Sequence, residues 1–166
     1  MRISFTLNGQ PTVTEVAAGT TLMEMLRGLG ATSVKDGCSR GDCGSCAVLL
    51  DGRAVTACLH FAGQVEGRRV TTVEGLADED GLHPLQQALL DAGGVQCGFC
   101  TPGVLMAATD LLERVPDPTD EEVRVGLAGN LCRCTGYVKI VDGVRDAAVM
   151  LAGGNPNGDG QEGSDG

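Results

Sequence analysis

Eight cysteines in a chain of 166 residues limit what this protein can fold into more than any other feature. They fall in two groups of four, Cys38-x4-Cys43-x2-Cys46-x11-Cys58 and Cys97-x2-Cys100-x31-Cys132-x1-Cys134. The N-terminus, Met1-Arg2-Ile3-Ser4-Phe5-Thr6, has neither the long apolar core nor the cleavage-type tail of a secretory signal, so the chain reads as soluble and cytoplasmic. Reducing conditions there make structural disulfides rare, and this many thiols point first to metal. The 26 glycines agree. Loops that wrap a metal centre need positive φ and close backbone approach.

Charge and aromatic content exclude several function classes. Twelve Lys and Arg against 22 Asp and Glu give a net charge of −10, and the two lysines, Lys35 and Lys139, share no basic patch. Nucleic acids and anionic membrane surfaces both need a positive face. Three Phe, one Tyr and no Trp leave no stacking platform for bases. No run approaches the roughly 20 apolar residues that cross a bilayer.

The periodicity changes part-way along the chain. Ile3, Phe5 and Leu7 alternate with polar neighbours as in a half-buried strand. Asn8-Gly9 then signals a hairpin, with Pro11 to Val16 returning. Thr21 and Glu24 have capping-box spacing ahead of Leu22, Met25, Leu26 and Leu29, and Gly28 and Gly30 end that helix. Asp36 to Cys46 is a loop. Asp51-Gly52 joins two further strands, Ala47–Leu50 and Arg53–Ala57, and Arg69–Val73 is a last one. From Leu82 the period is helical. Helices are predicted from Pro84 to Gly93-Gly94, from Thr101-Pro102 to Pro116, from Thr119 toward Leu127, and from Tyr137 to Leu151. The chain thus reads as α+β: a β-rich domain over 1–77, a helical domain over 82–152, and a disordered acidic, Gly-rich tail over 153–166. Each half is small enough to be marginal alone, so a bound cluster or a partner must add stability.

The first cysteine group has the loop spacing of plant-type [2Fe–2S] ferredoxins. Two irons need four thiolates. One loop must curl to deliver Cys38, Cys43 and Cys46, with Gly37, Gly41 and Gly44 permitting the curl and aiming N–H groups at sulfur. Cys58, beyond the Asp51-Gly52 hairpin, is the fourth ligand. Zinc and disulfides are the alternatives. Structural zinc favours paired C-x2-C knuckles, which an x4-x2 loop does not supply. In the second group, Cys97 and Cys100 precede one helix start and Cys132 and Cys134 another, so two positive helix ends would face an anionic thiolate site.

Three runs carry a family resemblance: Gly37-Cys38-Ser39-Arg40-Gly41-Asp42-Cys43-Gly44-Ser45-Cys46, Gln96-Cys97-Gly98-Phe99-Cys100-Thr101-Pro102-Gly103, and Asn130-Leu131-Cys132-Arg133-Cys134-Thr135-Gly136-Tyr137. They resemble the cluster loops of the iron–sulfur subunits of molybdenum hydroxylases, a family that includes xanthine dehydrogenase, aerobic carbon monoxide dehydrogenase, nicotine and quinoline oxidoreductases and aldehyde oxidoreductases. The resemblance spans residues 2–151. It implies a β-grasp ferredoxin-like domain followed by a four-helix-bundle [2Fe–2S] domain. It implies two [2Fe–2S] clusters, the first on Cys38, Cys43, Cys46 and Cys58, the second on Cys97, Cys100, Cys132 and Cys134. Gln96 and Cys134 match positions beside the pterin in relatives. Molybdopterin would sit in a large partner subunit and FAD in a medium one, in a dimer of heterotrimers, with no catalytic residue in this chain. The implied substrate class is an N-heterocycle such as a purine. Carbon monoxide or an aldehyde is the alternative, as is a free-standing ferredoxin-like carrier or a zinc scaffold.

Several residues have plainer readings. His60 and His83 pack or cap, and Tyr137, Met106 and Met150 belong to helical core faces. Arg133 either tunes the second site or is an ordinary solvated arginine. Asp78-Glu79-Asp80 reads as a solvated linker and Asp120-Glu121-Glu122 as a helix first turn.

Overall fold

A computed structural model describes residues 1–77 and 81–156; the expected acidic linker at Asp78-Glu79-Asp80 and the tail from 157 onward lie outside the described residues. The first half forms β1 (Arg2–Leu7), β2 (Gln10–Glu15), α1 (Leu22–Gly28), β3 (Ala47–Leu50), β4 (Arg53–Thr56) and β5 (Arg69–Thr71). Both hairpin signals are realised, with Asn8 and Gly9 at φ 49° and 78° and Asp51 and Gly52 at 51° and 85°. These paired left-handed residues match the strand twist, which fixes the β1–β2 and β3–β4 registers. The sheet order is β2-β1-β5-β3-β4, with β1 and β5 parallel and the other pairs antiparallel.

The second half forms α2 (Pro84–Asp91), α3 (Thr101–Arg114), α4 (Asp120–Gly126) and α5 (Val138–Leu151). Thr21 and Thr119 close full capping boxes, and His83 caps α2 by accepting the Leu85 N–H at 3.2 Å. Gly30, Gly93 and Gly153 end their helices at positive φ. In each case the next residue also donates back into the helix, from Ala31 to Leu26, Gly94 to Leu89 and Gly154 to Val149. The first residues of the expected tail therefore belong to the α5 cap. No helix among the described residues is long and apolar enough to cross a membrane.

The two halves share β3. Its run Ala-Val-Leu-Leu is buried throughout, as a strand covered on both faces must be. Val48 and Leu50 join Ile3, Leu22, Leu26 and Val70 in one core, while Ala47 and Leu49 join Leu85, Leu105, Met106, Ile140 and Val144 in the other. The helical layer thus covers this face of the sheet at its β3–β4 end. Asp110 on α3 pairs with Arg53 of β4 and, one turn along its own helix, with Arg114, both at 3.2 Å.

Glu74 ties the root of the first cysteine loop to the end of the sheet. It accepts the Ser33 N–H at 2.9 Å, the Ser33 hydroxyl, and the Thr72 hydroxyl at 2.6 Å. Partial burial pushes its carboxyl upward, but these hydrogen bonds outweigh that and hold it below 4.5. A depressed folded value stabilises above the unfolded value and is lost as pH falls through the folded one. Glu74→Gln is therefore expected to lower the thermal midpoint at pH 7 by about 3 °C, the worth of one net hydrogen bond. The gap to wild type should hold down to about pH 5 and narrow as the pH falls through 4.5 and below; a pH-independent gap would contradict the assignment.

Candidate metal centres

In the first site, Ser39, Gly41 and Gly44 turn the loop at φ 52°, 87° and 68°. The loop so formed aims the N–H groups of Arg40 and Cys43, and more weakly that of Asp42, at Cys38. Those hydrogen bonds lower the Cys38 thiol to about 7. A Cβ at Gly37 would lie 2.9 Å from Cys43 Sγ, so the backbone approaches sulfur as closely as only glycine allows. The β3–β4 hairpin returns the chain to this loop: Ala57 donates to the Cys46 carbonyl at 3.2 Å, and Cys58 follows on a 3-10 turn. Its thiol faces Cys46, whose own thiol burial pushes up to about 12.

In the second site, Cys100 is the residue from which α3 starts, and it is buried; burial pushes its thiol up to about 12. It faces Cys132. Cys132 lies at about 7, because the Thr135 hydroxyl and the N–H groups of Thr135 and Cys134 outweigh its burial. The outer pair is Cys97 and Cys134, both exposed, with Sγ atoms 3.5 Å apart. Phe99 N–H lowers Cys97, and the hydrogen bond with Cys97 raises Cys134. α5 does not start at Tyr137 as the periodicity suggests. Tyr137 is its cap, in the left-handed region at φ 71°, a conformation that costs a non-glycine residue about 1–2 kcal/mol. In that position its hydroxyl accepts the Cys132 N–H at 2.7 Å.

Thiols therefore come in facing pairs: Cys38 with Cys43, Cys46 with Cys58, Cys97 with Cys134, and Cys100 with Cys132. Among the described residues no three His, Cys, Asp or Glu side chains converge as one isolated ion would require. Two thiolate pairs at each site would hold a two-iron centre, which would supply one-electron chemistry there. All-thiolate donors, N–H groups aimed at sulfur and a glycine-lined cradle fit that group.

The two sites touch. Leu131 N–H, next to Cys132, donates to the Cys43 carbonyl at 3.0 Å. Buried Asn130 donates through Nδ2 to the Gly44 carbonyl at 3.2 Å.

Comparison with known proteins agrees with this geometry. Residues 5–77 match the family model described as a 2Fe-2S iron-sulfur cluster binding domain, and residues 72–145 match the one described as a [2Fe-2S] binding domain. The nicotinate dehydrogenase small FeS subunit of Eubacterium barkeri is 48% identical over 151 residues, covering 90% of this chain and 96% of that protein. The xanthine dehydrogenase iron-sulfur-binding subunit of Escherichia coli O157:H7 is 49% identical over 146 residues, covering 87% and 92%. This chain belongs to the iron–sulfur subunits of the molybdenum hydroxylases. The subunit also superimposes on a chain of quinoline 2-oxidoreductase from Pseudomonas putida 86 with a TM-score of 0.88 at 46% identity, covering 92% of this chain and 94% of that one.

Of the residues singled out from sequence, all eight cysteines gather into the two sites. Gln96 is exposed beside Cys97, on the outer face of the second. Arg133 is exposed, and His60 packs with Nδ1 3.1 Å from the Thr56 carbonyl. Asn130 and Thr135 stand out in the sequence only as neighbours in a cysteine run and Tyr137 also as a helix start and core face, and nothing in their spacing from Cys132 signals their contacts with the sites.

Proposed function

We propose that this iron–sulfur subunit passes electrons singly from a molybdenum–pterin centre in a large partner subunit to FAD in a medium one. The route enters at Cys97, Cys100, Cys132 and Cys134 as ligands of one [2Fe–2S] cluster. It continues through Cys38, Cys43, Cys46 and Cys58 as ligands of the other. Each cluster, when bound, accepts and releases one electron.

The observation that carries this reading is the Leu131–Cys43 hydrogen bond, which links the ligand sets through backbone between Cys132 and Cys43. At the outer end, exposed Cys97, Cys134 and Gln96 suit contact with the pterin-bearing partner. At the other end, Leu59, 59% exposed beside Gly41, and Phe61, 57% exposed, are apolar surface fit for the flavin partner. The domains of the proposal are a β-grasp ferredoxin-like unit over 1–77 and a four-helix bundle over 82–152, closed by the α5 cap at Gly153 and Gly154. A dimer of heterotrimers in the cytoplasm follows from the resemblance. Relatives named for nicotinate, xanthine and quinoline support an N-heterocycle as the complex's substrate.

Anaerobic rapid mixing of the intact complex tests the relay. One of nicotinate, xanthine or quinoline is expected to bleach the iron–sulfur absorbance before or together with the flavin. Flavin reduction with the iron–sulfur absorbance unchanged would overturn the relay. Reduction by carbon monoxide or an aldehyde alone would overturn the substrate class.

A further inference from the structure

Thr135 lies on the turn between Cys134 and α5. Its hydroxyl oxygen is 3.1 Å from Cys132 Sγ, and its N–H reaches the same sulfur at 3.5 Å. A threonine hydroxyl has one proton and two acceptor positions. The Tyr137 N–H, 3.3 Å from Thr135 Oγ1, occupies an acceptor position and leaves the proton for sulfur. The Tyr137 hydroxyl in turn accepts the Cys132 N–H at 2.7 Å, closing a ring of hydrogen bonds through Cys132, Thr135 and Tyr137. Tyr137 joins that ring from the left-handed region, at φ 71°. A non-glycine residue held there has been fixed by its surroundings.

We infer that the Thr135 hydroxyl sets the reduction potential of the cluster held in the helical half, acting through Cys132 Sγ. The inference rests on the ligand assignment proposed above. One electron arriving from the molybdenum–pterin partner adds one negative charge shared among the cluster and its thiolates. An O–H dipole aimed at Sγ stabilises that charge and raises the potential, until the same electron leaves for the ligand set of Cys38, Cys43, Cys46 and Cys58. Thr135 is a positioning residue: it touches a ligand sulfur and no reacting group.

The test is an electron paramagnetic resonance titration of the holoprotein, with dithionite as reductant. Thr135→Val keeps the branched shape and removes the hydroxyl; Thr135→Ser keeps the hydroxyl. The Val variant is expected to move one cluster's midpoint negative by about tenfold in its electron-exchange equilibrium with the other, which is about 59 mV for one electron. Ser should stay near wild type, and the other cluster's midpoint should not move in either. If Val fails to retain its cluster, Thr135→Ala makes the same comparison. Unmoved midpoints in the hydroxyl-free variant, or equal shifts in Val and Ser, would overturn the tuning role while both signals persist. A wild-type protein with only one signal would instead overturn the ligand assignment itself, and the inference with it.

Discussion

Gly44→Ala is expected to lower the thermal midpoint by about 10 °C and to loosen iron at both sites together. Gly44 sits at φ 68°, where an alanine is strained by about 1–2 kcal/mol. Its Cβ would also collide with the Gly129 carbonyl and come within 2.6 Å of Asn130 Nδ2 and 3.0 Å of Asn130 Cα. Overpacking against backbone adds about 1–3 kcal/mol, and in a chain of this size each kcal/mol is about 2–4 °C. The damage spreads because Gly44 follows Cys43 in one ligand set, while the segment it would displace leads into Cys132 of the other. Gly103→Ala gives a sharper sign test. Gly103 lies in the first turn of α3, where alanine gains about 1 kcal/mol of helix propensity. A Cβ there meets the Gly44 carbonyl and lies 3.1 Å from Asn130 Nδ2. Destabilisation is expected. Thermal unfolding followed beside iron content checks both variants, and a wild-type midpoint for either would contradict the close joint.

The second large effect is selective. Cys58→Ser and Cys100→Ser should each erase one cluster and leave the other, halving the iron from about four to about two per chain. Each residue is one half of a facing pair, Cys58 with Cys46 and Cys100 with Cys132. Cys100 is buried where even a thiol is driven to about 12, so a serine hydroxyl there stays protonated and is a poor ligand. Iron analysis with low-temperature spectroscopy of each variant reads the outcome. Loss of both clusters, or of neither, would contradict two four-thiolate sites.

Local features were legible in the sequence because their chemistry is local. Asn8-Gly9 and Asp51-Gly52 specify their own turns, Thr21 and Thr119 their own caps, and the cysteine spacing its own loop. What stayed hidden depends on residues far apart in the chain. The parallel pairing of β1 with β5 joins residues some sixty positions apart, such as Thr6 with Arg69. The helical layer on β3 makes one strand serve two cores, which the unbroken run Ala47–Leu50 could have signalled through its lack of alternation. Gly44 read as a residue that lets a loop curl, yet its tightest constraint comes from Gly129 and Asn130. Tyr137 fitted the apolar stripe of α5, and its left-handed backbone moved it off the helix and onto Cys132.

On this reading the eight cysteines hold two separate [2Fe–2S] clusters. Electron paramagnetic resonance of the anaerobically purified, dithionite-reduced chain, with iron and sulfide counted alongside, decides whether they do. Two distinct signals are expected, with about four irons and about four sulfides per chain. One signal with half that iron would contradict the second site, and zinc in place of iron would contradict both.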